Sequence, residues 1–175
     1  ALYTIAMSTN SVKGLYKIES QISAGKGKIT VSDNKYRKTF ENAFNYLKIN
    51  SKRISGAINT SEKEFYLSVA DEKNVGNTEA ATLGGFIAMC SISLNRQLMP
   101  QTVILGEMAL SGSINAVSDL ASTLQIAREA GAKKALIPIL NAVDMSTLPP
   151  DILMDIQPIF YLDPIDATQK ALGLM

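Results

Sequence analysis

The sequence contains no histidine, no tryptophan and a single cysteine, Cys90. Without histidine, Ser–His–Asp chemistry is excluded, and a structural zinc site loses half of its usual ligands. Any general base has to be a carboxylate, a lysine, a tyrosine or a main-chain group. One cysteine excludes an internal disulfide and suits a reducing cytoplasm. No uncharged apolar run reaches the roughly 18 residues that span a bilayer. No basic-then-apolar leader opens the chain, and no membrane partner is expected. Repeats, low-complexity tracts and interdomain linkers are also missing. Gly25–Lys28 reads GKGK, but it lacks the spacing of a phosphate-binding Gly-x-x-x-x-Gly-Lys-Ser/Thr loop and no helix follows at once. A turn between strands is the expectation there.

What is present is enough for one domain over residues 1–175, which buries roughly 70% of the surface its unfolded chain exposes. Hydrophobic residues make up 46% and charged residues 19%, as in an ordinary globular protein. The net charge of +1 hides an asymmetry. Residues 1–63 hold eleven Lys/Arg against four Asp/Glu, a balance of +7, and residues 64–175 hold six against twelve, a balance of −6. Such halves form two differently solvated faces, or a basic face that meets an acidic neighbour or an anionic partner such as nucleic acid. The candidate nucleic-acid contacts are Lys13, Lys17, Lys26, Lys28, Lys35, Arg37 and Lys38. No aromatic-interleaved basic motif supports base reading.

Leu2–Ser8 and Leu15–Ser23 read as hairpin strands around the polar turn Thr9–Gly14, and Lys28–Val31 as a short strand. Ser32 or Asp33 caps a helix predicted over Asn34–Asn50, with Tyr36, Phe40, Ala43, Phe44 and Leu47 on its inner face. Glu64–Ala70 is a strand. Thr78 is expected to cap a helix over Glu79–Leu94 that is apolar nearly all round and therefore central. Gly84 and Gly85 in it permit another element to approach closely. Gln101–Leu105 begins a strand that continues as a turn-containing β segment. Ser118–Ala130 is an amphipathic helix with Leu120, Ala121, Leu124 and Ala127 inward, stopped by Gly131. Lys133–Leu140 is a buried strand, Pro149–Asp155 a helical turn, Gln157–Leu162 a strand and Pro164–Leu172 a last helix. Mixed strands and helices in irregular order indicate one α/β (α+β) domain.

Three stretches carry a family resemblance. IESQISAGKGKITVSD with ENAFNYLK, GEMALSGSINAV, and above all LQIAREAGAKKALIPILNAVDMSTLPPDI resemble the proteolytic domain of Lon-type ATP-dependent proteases. QPIFYLDPIDATQKALGL is similar to the end of the Lon-like branch found in BREX phage-defence systems. The resemblance implies the Lon proteolytic-domain fold, with sheet segments packed on a buried central helix. It also implies that an ATPase module absent from these 175 residues lies upstream, that Ala1 falls inside a longer chain, and that Met175 is its natural end. ATP and magnesium belong to that module, and no cofactor or metal is expected here.

Lon proteases use a Ser–Lys dyad. The matching register of GNTEAATLGG puts Ala80 at the serine position, or Ala81 if shifted by one residue. In AVSDLAST, Thr123 occupies the lysine position. Alanine cannot attack, and threonine is no general base near neutral pH. The resemblance thus implies a degenerate dyad. Thr78, Thr82 and Lys73 are weak stand-ins: Thr78 also reads as a cap, Thr82 points elsewhere on the helix, and Lys73 reads as a surface charge. Glu79 and Asp119 are carboxylates near the two positions, equally suited to first helical turns. Ser111, Ser113, Ser118 and Ser122 read as turn and cap residues, Lys133 and Lys134 as a helix-to-strand bend, and Met89 and Cys90 as core filler. Three functions follow: a module without peptidase chemistry that helps assemble or couple an ATPase ring, with DNA engaged by the larger protein; an active serine- or threonine-type endopeptidase; and a nucleic-acid-binding module.

Overall fold

A computed structural model describes residues 1–174; Met175, expected as a natural end, lies outside the described residues. Strands β1 (Leu2–Met7) and β2 (Lys13–Ala24) form the expected hairpin, with Met7 opposite Lys13. β3 (Lys28–Val31) and β4 (Lys63–Asp71) follow, then β5 (Thr102–Ile104), β8 (Lys134–Pro138) and β9 (Gln157–Tyr161). They make one seven-stranded sheet in the order β3-β4-β2-β1-β5-β8-β9. From β1 through β5 and β8 to β9 the neighbours run parallel, while β2 is antiparallel to both β1 and β4. A separate two-stranded hairpin, β6 (Glu107–Met108) with β7 (Ile114–Asn115), accounts for the turn-containing segment after Gly106.

The parallel part of the sheet is covered on both faces, and the strand alternation shows why. Ile104 and Leu136 point into a core shared with α1 (Arg37–Ile54), α2 (Thr82–Leu94) and α5 (Pro164–Leu172). Their neighbours Val103, Leu105, Ala135 and Ile137 point to the other side, against α3 (Leu120–Glu129) and α4 (Pro150–Asp155). A parallel strand buried on both faces reads as a continuous apolar run, and KKALIPIL is such a run. Its end is shorter than expected: Ile139 and Leu140 leave the strand, are exposed, and open the 3-10 stretch Ile139–Thr147.

The five apolar residues assigned to the inner face of the first helix are all buried. Asp33 accepts from the Lys35 amide as predicted, but the first turn, Asn34–Tyr36, is 3-10. The helix then runs on to Ile54, four residues beyond expectation. α2 is buried at nine consecutive positions from Thr82 to Cys90. A Cβ on Gly84 would stand 2.9 Å from Ile18 Cδ1, and one on Gly85 2.4 Å from Phe40 Cδ1. The two glycines therefore let the sheet and α1 close on α2 from different sides.

The start of α2 corrects the sequence reading. The helix begins at Thr82, not Glu79, and its N-cap, Ala81, offers no side-chain bond. Residues 77–80 are instead sewn to the end of β1. Thr78 pairs with Ser8 as an isolated bridge, and the Thr9 amide donates to Asn77 O at 2.8 Å. The Thr78 hydroxyl caps this turn rather than the helix. Glu79 is exposed outside the helix.

Candidate functional site

Parallel strands present their C-terminal ends together, and in open α/β sheets that is where ligands sit. Here a small cleft of about 80 Å³ lies at that end. Ile5, Ala6 and Met7 of β1 form one side, and Gly106 and Glu107 follow from the end of β5. Lys13 enters from β2, Ala80 from the loop before α2, and Ala116, Val117, Ser118 and Thr123 from the approach to α3. A larger groove of about 1130 Å³ lies at the other end of the parallel strands, among Tyr3, Thr102, Arg96 and Ala132. It shares no residue with the cleft and holds none of the candidate site residues, so size does not decide the site.

The structure brings Ala80 and Thr123 to this one cleft, although 43 positions separate them along the chain. Ala80 is half-buried and its amide donates to Thr78 Oγ1 at 3.0 Å, while the Thr78 hydroxyl donates to Met7 O at 2.7 Å. The preceding loop is fixed by the Asp71 carboxylate, which accepts from the amides of Val75 and Gly76, and by the Tyr16 hydroxyl, which donates to Gly76 O at 2.7 Å. Thr123 is 1% exposed, and its hydroxyl donates to Asp119 O at 3.2 Å.

The other stand-ins are elsewhere. Thr78 is fully buried behind the loop. Thr82 is buried in the first turn of α2 and does not line the cleft. Lys73 is exposed in the turn after β4. Ala81 is buried as the N-cap of α2. Glu79 and Asp119 form no carboxylate pair in the cleft; neither lines it. Ser111 and Ser113 meet each other, Oγ to Oγ 3.2 Å, in the exposed β6–β7 turn. Cys90 is buried, and burial pushes its thiol far above the ordinary range, so it is inert. Among the described residues, no group of three or more Asp, Glu or Cys is placed to hold a metal ion. Likewise, no described helix is long and apolar enough to cross a membrane.

Two residues matter here that sequence reasoning misjudges. The sequence groups Lys13 with the basic surface, but its amine turns into the cleft. Nζ lies within hydrogen-bond reach of four acceptors, Ser118 O, Asp119 O at 3.0 Å, Ser122 Oγ at 3.3 Å and Thr123 Oγ1 at 2.5 Å, among which its three N–H groups are shared. Desolvation lowers its pKa from the ordinary lysine value, and the Asp119 carboxylate opposes that shift. An amine thus meets Thr123 even though the family register leaves no lysine at that position. No local pattern could reveal it, because the contacts span about a hundred residues of chain. The remaining surface cations Lys26, Lys28, Lys35, Arg37 and Lys38 are exposed around β3 and the start of α1, while Lys17 pairs with Glu19 at 3.7 Å. Lys13 stands at the opposite end of the twelve-residue strand β2 from Lys26 and Lys28, roughly 36 Å away at about 3.3 Å per residue.

The second residue is Asn141, which the sequence flags only as part of an Asn-x-x-Asp loop. It is 1% exposed. Its side chain accepts from the Val117 amide at 2.8 Å and donates to Val117 O at 2.9 Å and to Asp144 Oδ2 at 2.9 Å. One amide thus imitates a strand partner and holds the cleft wall in place. Behind the wall, Gly106 adopts φ 110°, and a Cβ there would fall 2.0 Å from the Tyr161 hydroxyl oxygen. That hydroxyl donates to Leu105 O at 2.6 Å.

At the start of α3, Asp119 sits in the left-handed region at φ 47° and accepts from the Ser122 amide. Hydrogen bonds from Ser122 hold its carboxyl below the usual range, with Lys13 adding a smaller push. Chemically, the cleft offers the Lys13 amine, the Glu107 carboxylate, the exposed Ser118 hydroxyl, the buried Thr123 hydroxyl and the Ala80 methyl group. It offers no oxygen on the side chain at position 80.

A family model described as the Lon protease (S16) C-terminal proteolytic domain matches residues 5–172. The chain is 39% identical to the "Lon-like protease BrxL" of Bacillus cereus (strain H3081.97), over 99% of this chain and 26% of that protein. It is 38% identical to the protein of the same name from Escherichia coli O9:H4 (strain HS), with the same shares covered. A Lon protease of Methanosarcina barkeri (strain Fusaro / DSM 804) is 24% identical over 80% of this chain and 18% of its own. The chain spans about a quarter of the length of the two BrxL relatives. The match over nearly all of the sheet and helices, and over both walls of the cleft, places this chain in the family of Lon protease C-terminal proteolytic domains.

Proposed function

We propose that this chain is a Lon-like proteolytic domain whose Ser–Lys dyad has degenerated at Ala80 and Thr123. In this reading it serves as an assembly and coupling module of a larger ATP-driven ring, in phage defence. The observation that carries this reading is the composition of the cleft. The wall at residue 80 ends in a methyl group, and the facing hydroxyl of Thr123 is buried and bonded to Asp119 O. An oxygen that starts acyl transfer must reach a carbonyl carbon and lose its proton to a base. A hydroxyl 1% exposed within a helix does not reach a bound peptide bond.

The phage-defence and ring parts rest on likeness to proteins named Lon-like protease BrxL, of which this chain spans about a quarter. ATP and magnesium act in the upstream module, and the opposed charge of the chain's two halves suits head-to-tail contact between copies. Casein cleavage and fluorophosphonate labelling of the full-length protein with ATP test the proposal. No turnover above background is expected, and ATP-dependent cleavage abolished by Thr123→Val would overturn it.

One observation favours a second reading, a threonine-type peptidase. The Lys13 amine lies 2.5 Å from Thr123 Oγ1, within reach of a nucleophile and its base. The same amine, however, donates to two backbone carbonyls, and the hydroxyl's proton is directed to Asp119 O. These bonds describe a structural tie better than a poised pair. Cleavage lost in both Thr123→Val and Lys13→Met would establish the second reading.

A further inference from the structure

The amine of this cleft has a place in it that the start of α3 does not supply. Lys13 lies at the β1–β2 hairpin, opposite Met7, and reaches across to four acceptors at Ser118, Asp119, Ser122 and Thr123. Those contacts hold Nζ in one position at the mouth of α3. Ala80 is held with similar firmness by Thr78. Both residues line the same cleft, whose volume of about 80 Å³ has room for only a few water molecules. Lys13 is the sole amine among the described residues lining it; Glu107 is the sole carboxylate.

We propose that Lys13 is the base-position amine of this cleft, carried by the β1–β2 hairpin instead of by α3, so that position 80 lacks only the attacking oxygen. This rests on the reading of Ala80 as the wall from which attack would come. The sequence register finds threonine where a lysine is expected on α3, and the structure brings an amine from another strand against that threonine. Desolvation favours the neutral amine, which is the form that accepts a proton.

The test restores the oxygen with Ala80→Ser and uses a fluorophosphonate probe on the 175-residue chain. In the labelling step, the introduced hydroxyl gives its proton to neutral Lys13 Nζ while its oxygen bonds to phosphorus. The phosphorus–fluorine bond breaks and fluoride leaves. Labelling of Ala80→Ser should exceed that of the unaltered chain by about a hundredfold, rise with pH as Lys13 loses its proton, and return to background in Ala80→Ser/Lys13→Met. Ala80→Ser/Glu107→Gln should keep it, which separates the amine from the nearby carboxylate. A folded Ala80→Ser chain labelled no faster than the unaltered one, or labelled equally after Lys13→Met, would overturn the proposal. Labelling of the unaltered chain would instead overturn the preceding functional reading, and the increment from Ala80→Ser would still decide this one. Ala80→Cys gives a second measurement, clean because Cys90 is buried. Lys13→Met should move the pH midpoint of iodoacetamide alkylation upward, and an unmoved midpoint would show that the amine does not face position 80.

Discussion

The two helices that follow the segments bordering the cleft, α2 after Ala80 and α3 after Ser118, are seated by different forces. α2 has no side-chain cap and no acidic group in its first turn. It is held by burial at nine consecutive positions and by the close approach that Gly84 and Gly85 allow. α3 is amphipathic and half-exposed, and its start is tied by polar contacts: Asp119 as cap, Lys13 across from β2, and Asn141 clamping Val117. One wall is therefore fixed as firmly as the core itself. The other is fixed by bonds that a competing donor or acceptor can exchange.

The comparison breaks most visibly at Asn141. Asn141→Ala leaves the Val117 amide and carbonyl unpaired and should destabilise the chain by about 2–4 kcal/mol in urea unfolding. Amide exchange should accelerate around residues 116–123 while α2 stays protected. On the rigid wall, Gly85→Ala should cost about 1–3 kcal/mol through overpacking against Phe40, with no selective loosening of α3. Tyr16 sharpens the same contrast through pH. Burial, then the nearby Asp71 and Tyr36, pushes its hydroxyl from 10 up to about 12. The native state therefore keeps a proton that the unfolded chain has lost. Stabilisation is full below pH 10 and disappears as pH rises through 12. Thermal melting between pH 9 and 12 should show that fall, and Tyr16→Phe should flatten it. The smallest effect is expected at Asp119. Replacement by alanine removes the cap and keeps a left-handed backbone, whereas glycine relieves the backbone. Asp119→Gly should melt above Asp119→Ala.

Much of the rigid wall is legible in the sequence. A run apolar on every side announces a central helix, and paired glycines announce close neighbours. The boundary at Glu79 is misread because Thr-Glu resembles a capped helix start; the neighbouring chain at Ser8 and Met7 outcompetes it for the Thr78 hydroxyl. The polar wall is less legible. Thr123 comes from family register, and the structure places it in one cleft with Ala80, but Lys13 and Asn141 gain their roles from partners far along the chain. Periodicity reports which face of an element is buried. It does not report which distant carbonyl a lysine will find. The charge asymmetry is real as a count, yet Lys13 leaves the basic surface for the cleft, and Arg128 on the acidic half is occupied by Asp151 at 2.7 Å.

Gly106 has a consequence for how much of the chain the cleft depends on. Its backbone bend is set beneath the Tyr161 ring, and Tyr161 belongs to the last strand. A chain cut before Gln157 keeps the hairpin, both helices and every residue that borders the cleft, but not the tyrosine packed behind Gly106. The bend at Gly106 therefore takes the hydroxyl that ties the Leu105 carbonyl from the far end of the chain.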